Sequence, residues 1–570
     1  MKATSNKILD RYFAFIEKRK LSDLIIFHAV LVIMISSGLT ALVKFNQNYI
    51  TSVPTAGGTL VEGIVGTPRF INPVLAITRA DHDISALVYS GLMRIDENGE
   101  VVNDLAEKIE LSEDKRTYHV TIKEGLQFHD GSNLTARDVA FTIGLIQNAD
   151  LKSPLRGVWE GVIVEVLGER ELNITLEDPY TPFIENFTVG ILPRGIWDEL
   201  PIEQLPFSQH NTEPVGSGPY MVVDSLRNKS GLINAYKLQA FSAANHEPNI
   251  RTIVFNFYLN EEQLMKALAK GEIAGTPSLT AQQLTALNTN DFKIIETPLP
   301  RTFAVYFNQN KSAALRDRYV REALHASIDR EALVADVLGG RGIPIDSPIP
   351  SGFLALQSSS TPLANTPADP VRILESGGWQ RNDEGVWQKK IDDDTVTLAV
   401  TLTTSNTPLF EATARHIAAS WEAIGIVVQI NQFEQADLVQ GIIRPRDFQA
   451  LLFGADVGRT VDLYPFWHSS QKDDPGLNIA QYTNITADKL LNNLRDITDT
   501  VEKTKLANEL TTIIKSDTPA IFLFVPNFTY VIDNDVVLVP FTKLGKPSER
   551  FANVADWHIT SSNLWPIFSQ

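Results

Sequence analysis

The chain has 570 residues, of which 44% are hydrophobic and 21% charged. These values fit several folded lobes and exclude a collagen-like, wholly disordered or multi-spanning membrane protein. Cysteine is absent, which excludes disulfides, thiolate-bound metal, a cysteine nucleophile and a lipid-modified cysteine, and the 50 basic against 68 acidic residues leave a net charge of −18 that repels nucleic-acid backbones.

Residues 1–23 carry six basic and three acidic side chains, a net of +3, so the remainder sums to −21. A twenty-residue apolar run follows, Leu24 to Val43, bounded by Asp23 and Lys44. At ~1.5 Å per residue it spans ~30 Å, the thickness of a bilayer's hydrocarbon core. A basic flank stays inside, so the reading is a cytoplasmic head (1–23), a single transmembrane anchor (24–43) and an extracytoplasmic body. A cleaved signal and a buried soluble helix are the alternatives. The polar, turn-rich stretch FNQNYITSVPTAGG (45–58) reads as a tether, taken as 44–56 ahead of the body that opens at Gly57.

The body opens with a strand in GGTLVEGIVGTPRFINPVLA (57–76), stopped by Pro73, and a helix over 81–92 with Asp81 as its cap. TYHVTI alternates as a half-buried strand does, HDG at 129–131 is a tight turn, and Thr135 with Asp138 forms a capping box. Residues 162–178 read as a hairpin, and the Pro/Gly-rich 206–220 as a crossing between lobes. A strand over 252–258 leads into the helix EEQLMKALAKGEIAG, and residues 296–310 form a second crossing with a strand. Residues 316–338 predict a helical region broken near Asp329, and 346–370 a surface arm. TVTLAVTL, FEATARHIAASWEAIG and IVVQINQF make a strand, helix and strand of crossover length, so the sheets are mixed. A long helix over 486–517, broken near Thr498, precedes the Pro-terminated strand AIFLFVP and a further strand, YVIDNDVVLVP.

Motifs for chemistry are missing. VGSGP at 215–219 is not a phosphate loop, and neither HExxH nor GxSxG occurs. No catalytic, metal or cofactor residue is therefore assigned. Residues 451–471 set Asp456 and Asp462 among Phe453, Tyr464, Phe466, Trp467 and His468. A carboxylate beside aromatic faces suits an ammonium group. From composition alone, an ordinary turn with core aromatics is the better reading.

Several stretches, in order and at fixed spacing, resemble the bacterial extracellular solute-binding proteins of family 5, the oligopeptide, dipeptide and nickel group of ABC importers. They are GTLVEG, YSGLMRIDENG, DLAEKIELSEDKRTYHVTIKEGLQFHDGSNLTARDVAFTI, PVGSGPY, VREALHASIDREALV, WEAIGIVVQI, NIAQYTN and DTPAIFLFVP, between Gly58 and Pro540. The resemblance implies an α/β fold of the periplasmic-binding-protein type II, with two main lobes closing on a cleft and an inserted third. Lobe I would take 57–92, 213–298 and 531–570, the inserted lobe 93–212, and lobe III 299–530.

The resemblance further implies a peptide receptor that is not an enzyme, takes no cofactor, binds no nucleic acid, acts as a monomer and delivers its ligand to separate permease and ATPase chains. Nickel complexes, sugars and opines are alternative solutes, and a structural or chaperone-like surface protein is a second alternative. In FGAD, Asp456 matches the position that holds a peptide's α-ammonium in family members, with Phe453 and Gly454 in the same segment and Trp467 close by. The family's continuation is replaced by DVGRTVDLYP. Arg69, on the cleft loop after the first strand, and Arg301, Arg444, Arg446 and Arg459 are candidates for a ligand carboxylate. Hinge motion is expected about 206–220 and 296–310, with a return near Pro540.

Overall fold

A computed structural model describes residues 11–12, 20–49, 51–287, 290–349, 369–391, 393–497 and 499–564. Most of the basic head, the arm between 350 and 368 and Thr498 lie outside them. The described chain forms two units, residues 1–57 with 558–570, and the body 58–557.

In the first unit, helix α1 (Leu21–Tyr49) contains one stretch long and apolar enough to cross a membrane, Leu21–Leu42, with its apolar side chains exposed. The predicted tether is shorter than expected. The helix continues to Tyr49 because 44–49 holds no Gly or Pro to stop it, and Thr51–Pro54 pairs antiparallel with Ser561–Leu564.

The body is a mixed α/β structure built on a twelve-stranded sheet. Its strands are β1 (Thr59–Val65), β2 (Tyr220–Arg227), β3 (Ile233–Ala240), β4 (Thr252–Tyr258), β5 (Gly275–Thr276), β6 (Phe292–Pro298), β7 (Arg301–Phe307), β8 (Gly342–Pro344), β9 (Ala399–Ser405), β10 (Val427–Phe433), β11 (Ala450–Asp456) and β12 (Ala520–Asp533). The order is β10-β9-β11-β7-β12-β5-β1-β4-β3-β2, with β6 and β8 also on β12. β9 and β10 are parallel and joined by the helix Pro408–Ala423, the predicted crossover.

The sheet has two halves, and β12 runs through both. Ala520–Phe524 pairs with β7, and Asn527–Asp533 pairs with β6. AIFLFVP and YVID are thus one strand. Pro526 does not end it, because the missing N–H falls where the strand changes partners. The other passage between the halves is the Pro298-Leu299-Pro300 link from β6 to β7. These two passages lie side by side, since the Leu299 N–H donates to the Pro526 carbonyl (3.4 Å).

On the half that carries β7, side chains alternate between two cores. Phe303, Val305 and Phe307 pack with Trp421 and Leu324 on one face, while Ala304 and Tyr306 pack with Trp467 and Leu510 on the other. Both faces are covered by helices, which is why β7 reads as an unbroken buried run. The break near Asp329 is present, with Asp329 capping the helix Arg330–Leu338. Residues 485–517 likewise form two helices, Ile485–Asp496 and Thr500–Asp517.

Residues 106–175 supply a separate four-stranded antiparallel sheet, in which Tyr118, Val120 and Ile122 of TYHVTI point inward. Asp138 accepts from the Thr135 N–H at 2.8 Å, closing the predicted cap of the helix Ala136–Gln147. The early helix differs from expectation. It is α2 (Arg79–Val88), capped by Thr78, and Asp81 is the third helical residue of the capping box. Buried, Asp81 accepts from the N–H groups of Arg69 (2.6 Å), Phe70 (2.9 Å) and Thr78 (2.9 Å).

Candidate functional site

Where the end of β11 meets α2, the inserted sheet region and the carboxyl-terminal segment 545–556, the body encloses a cavity of about 690 Å³. That is within the range of small-ligand sites. Its walls carry His82 from α2 and Tyr89 just past its end, Trp159 and Glu185, Asp456 at the end of β11 and Arg459 after it, and Lys546. Burial pushes the Glu185 carboxyl up to about 7, against Arg459, which pulls it down, while Glu549 adds to the rise. Burial also lowers His82, with Lys546 acting in the same direction and Asp81 and Asp83 opposing.

Asp456 is the last residue of β11 and faces the cavity. It stands opposite Arg301 in the antiparallel β7–β11 register, with Arg301 Nη2 3.3 Å from Asp456 Oδ2. The other carboxylate oxygen accepts from the Gly458 N–H at 3.2 Å, in a turn where Gly458 has φ +70°. The carboxylate is about half exposed, so it can take a further cationic partner from the cavity.

The structure puts the other sequence candidates elsewhere. Phe453 stacks on Phe410 (centroids 6.3 Å apart, 19° between planes) and is not part of the cavity wall. Gly454 lies under the Phe303 ring, which a Cβ would touch at 3.4 Å. Trp467 is 2% exposed, packed against Tyr306, Tyr482 and Phe522, and is not part of the cavity wall.

Arg69 is exposed, its guanidinium 5.6 Å from the Phe70 ring, and outside the cavity wall. Arg444 pairs loosely with Asp474 (3.7 Å). Arg446 is buried and donates to the carbonyls of Ile443, Lys472 and Gly476, a backbone clamp. Asp462 accepts from the Tyr180 hydroxyl (3.0 Å) and its carboxylate is closed off beside Arg495 (3.5 Å). Of the five candidate arginines, Arg459 reaches the cavity wall, where it pairs with Glu549, and Arg301 reaches Asp456; Arg94, which the sequence reading did not single out, also lines the cavity.

Beneath the cavity lies a group the sequence reading missed. Arg550 is fully buried and donates to both oxygens of Asp83 (2.7 and 2.8 Å) and to Glu62 (2.9 Å), whose other oxygen accepts from the Tyr530 hydroxyl. Burial raises Glu62, with Arg550 and Tyr530 pulling against it. Burial alone would lower Arg550, but Asp83 and Glu62 outweigh it and hold it above the usual guanidinium range. One signal was available, a glutamate in the middle of the apolar strand TLVEGIV. Among the described residues, no group of three or more His, Cys, Asp or Glu could hold a metal ion.

A family model described as bacterial extracellular solute-binding proteins, family 5 Middle, matches residues 100–476. The oligopeptide-binding protein AppA of Bacillus subtilis is 30% identical over 487 residues, covering 83% of this chain and 87% of that protein. The structure of that protein in complex with a nonapeptide covers 89% of this chain and 100% of its own, with a TM-score of 0.69 at 27% identity. NikZ of Campylobacter jejuni, in complex with Ni(L-His), shares the fold at 23% identity with a TM-score of 0.67, over 88% of this chain and 99% of its own. The chain belongs to the bacterial extracellular solute-binding proteins of family 5.

Proposed function

We propose that the protein is the substrate-binding receptor of an ABC importer and binds peptides in the 690 Å³ cavity. One observation carries the reading: Asp456, on the wall of that cavity, belongs to a chain 30% identical along 83% of its length to an oligopeptide-binding protein. In this reading Asp456 accepts a hydrogen bond from the ligand's ammonium group, and no chemical step takes place. The nickel-complex alternative has support only from a shared fold.

Lobe I (57–92, 213–298 and, of the expected 531–570, the part to 557 that belongs to the body), the inserted lobe (93–212) and lobe III (299–530) would move about the two adjacent sheet passages, 298–300 and 525–528. The chain crosses between the sheet halves there. The first lies within the expected 296–310, whereas the second takes the place of the expected 206–220 and of the return near Pro540. The helix α1 would stay uncleaved and hold the body outside the membrane, which keeps the receptor at a raised effective concentration beside its permease. Separate permease and ATPase chains would complete the transporter.

The reading is tested by native mass spectrometry of the protein purified from its own cells, with ligands identified after denaturation. Released peptides support it. A released nickel complex, sugar or opine in their place contradicts the peptide assignment.

A further inference from the structure

Arg459 occupies a socket made by two segments distant from it in sequence, one at Gly99 and one over 543–549. Its Nη1 donates to the carbonyl of Gly99 (3.0 Å) and lies 3.4 Å from that of Lys543, and its Nη2 pairs with Glu549. Glu549 is itself held, accepting from the Gly545 N–H at 2.6 Å. Both charged side chains are close to nine-tenths buried, at 11% and 13% exposed.

The socket is shaped for a guanidinium. Gly99 has φ +82°, and a Cβ there would fall 2.9 Å from Arg459 Nη1 and 2.8 Å from Lys543 Cβ. A Cβ at Gly545 would fall 3.0 Å from Arg459 Nη2. A planar fork can satisfy two carbonyls and a carboxylate together, which an ammonium on a flexible stem does not.

The position of the socket gives it a consequence. Arg459 lies three residues past Asp456, on the loop that leaves β11 in the β7 half of the sheet. Glu549 precedes Arg550, which Asp83 of α2 and Glu62 of β1 lock into the other half. The bond therefore joins the two halves at the cavity wall by side chains, in addition to the two backbone passages that connect them, one of which is close by, since the Val457 N–H donates to the Pro300 carbonyl at 2.8 Å.

We propose that Arg459 in this socket is a latch that holds the cavity shut and positions the Asp456 loop in its closed place. In this role the Nη1 and Nη2 groups of Arg459 are engaged by the socket and not by a ligand carboxylate. The latch slows escape of whatever the cavity holds. That consequence rests on the receptor reading, but the latch itself does not.

The native chain has no cysteine, so cysteines placed at the exposed Asp224 and Glu422, in opposite halves of the sheet, take spin labels without background. Pulsed electron resonance on the full chain in detergent, with no peptide added, reads the distance between them. The labelled parent should show a short-distance population. Arg459→Met and Glu549→Gln should each lower the ratio of short to long distances by about 30-fold or more, as for loss of one partner of a buried hydrogen-bonded charge pair. Arg459→Lys should keep an intermediate ratio, since it restores the ion pair without the carbonyl bonds. Gly99→Ala, which blocks the socket and leaves both charges in place, should act like Arg459→Met. A parent without the short population, or an Arg459→Met distribution equal to the parent's, overturns the latch. Because no peptide enters the measurement, failure of the peptide assignment would leave its outcome unaffected.

Discussion

Arg301 and Asp456 stand directly opposite each other on neighbouring antiparallel strands, their side chains 3.3 Å apart and each about half exposed. A ligand ammonium arriving at Asp456 must therefore share the carboxylate with a guanidinium already beside it. The guanidinium also repels the incoming charge.

The first prediction follows from that sharing. Arg301→Met should tighten binding of a peptide with a free amino end by about fivefold, since relief of a partly solvated charge contact is worth about 1 kcal/mol. An N-acetylated form of the same peptide should bind the variant and the parent alike. Calorimetric titration reads both. Equal weakening of the two peptides would mean that Arg301 shapes the strand and not the charge of the site.

Glu185 gives the protein a pH dependence of defined sign. The unfolded chain releases this proton near 4.5, whereas burial delays release in the folded chain to about 7. Between those pH values the folded state holds more protons, so raising the pH removes stability. Glu185→Gln cannot titrate. The midpoint of its thermal unfolding, compared with the parent's, should rise step by step from pH 4.5 to 7 and stay level above that. A constant difference across the window would place the Glu185 carboxyl back in the ordinary range.

The fully buried Arg550 predicts a large stability effect. Arg550→Met leaves Glu62 and Asp83 without their cation in the core, at a cost of about 3–5 kcal/mol. The loss should shrink in acid, where the stranded carboxyls can take up protons. Adding Glu62→Gln and Asp83→Asn to the same chain should recover part of it, because the uncompensated charges are then gone. Denaturant unfolding of the three proteins measures this. A single variant within about 0.5 kcal/mol of the parent would contradict the buried triad.

Much of this architecture was legible in the residues, and the failures have a common cause. The alternation in TYHVTI, the break at Asp329 and the crossover around FEATARHIAASWEAIG depend on neighbours in sequence, and all three are present. Asp456 was singled out through the FGAD segment, and it lies on the cavity wall. For Trp467 the residues left two readings open, because an aromatic residue near a carboxylate serves a core as readily as a ligand pocket. Only the packing against Tyr306 and Phe522 distinguishes the two. Pro526 was read as a stop, since nothing local shows that a strand will change partners there. Arg550 meets Asp83 and Glu62 across more than 460 residues, and Arg459 meets Gly99 across 360. Pairings of that range carry no local signature.

The amino-terminal segment makes a topological prediction. With six basic residues before an apolar helix and an acidic body after it, a tag at residue 1 should survive when protease is added to intact or wall-stripped cells, while the body is digested. Loss of the tag from the cell-associated fraction indicates cleavage of the segment. A protected body in cells whose envelope admits the protease contradicts the orientation.

Whether the cavity is an ammonium-reading peptide site comes down to Asp456→Asn, which keeps the size of the side chain and removes its charge. Calorimetry of the parent and the variant, each with an unmodified nonapeptide and its N-acetylated form, gives a complete double cycle. The variant should bind the unmodified peptide about tenfold more weakly. That is less than a fully buried pair would lose, because the carboxylate is half exposed and already shared with Arg301. The acetylated peptide should bind the parent poorly and lose nothing further in the variant. If the substitution weakens both peptides equally, or neither, Asp456 does not hold the ligand's amino end.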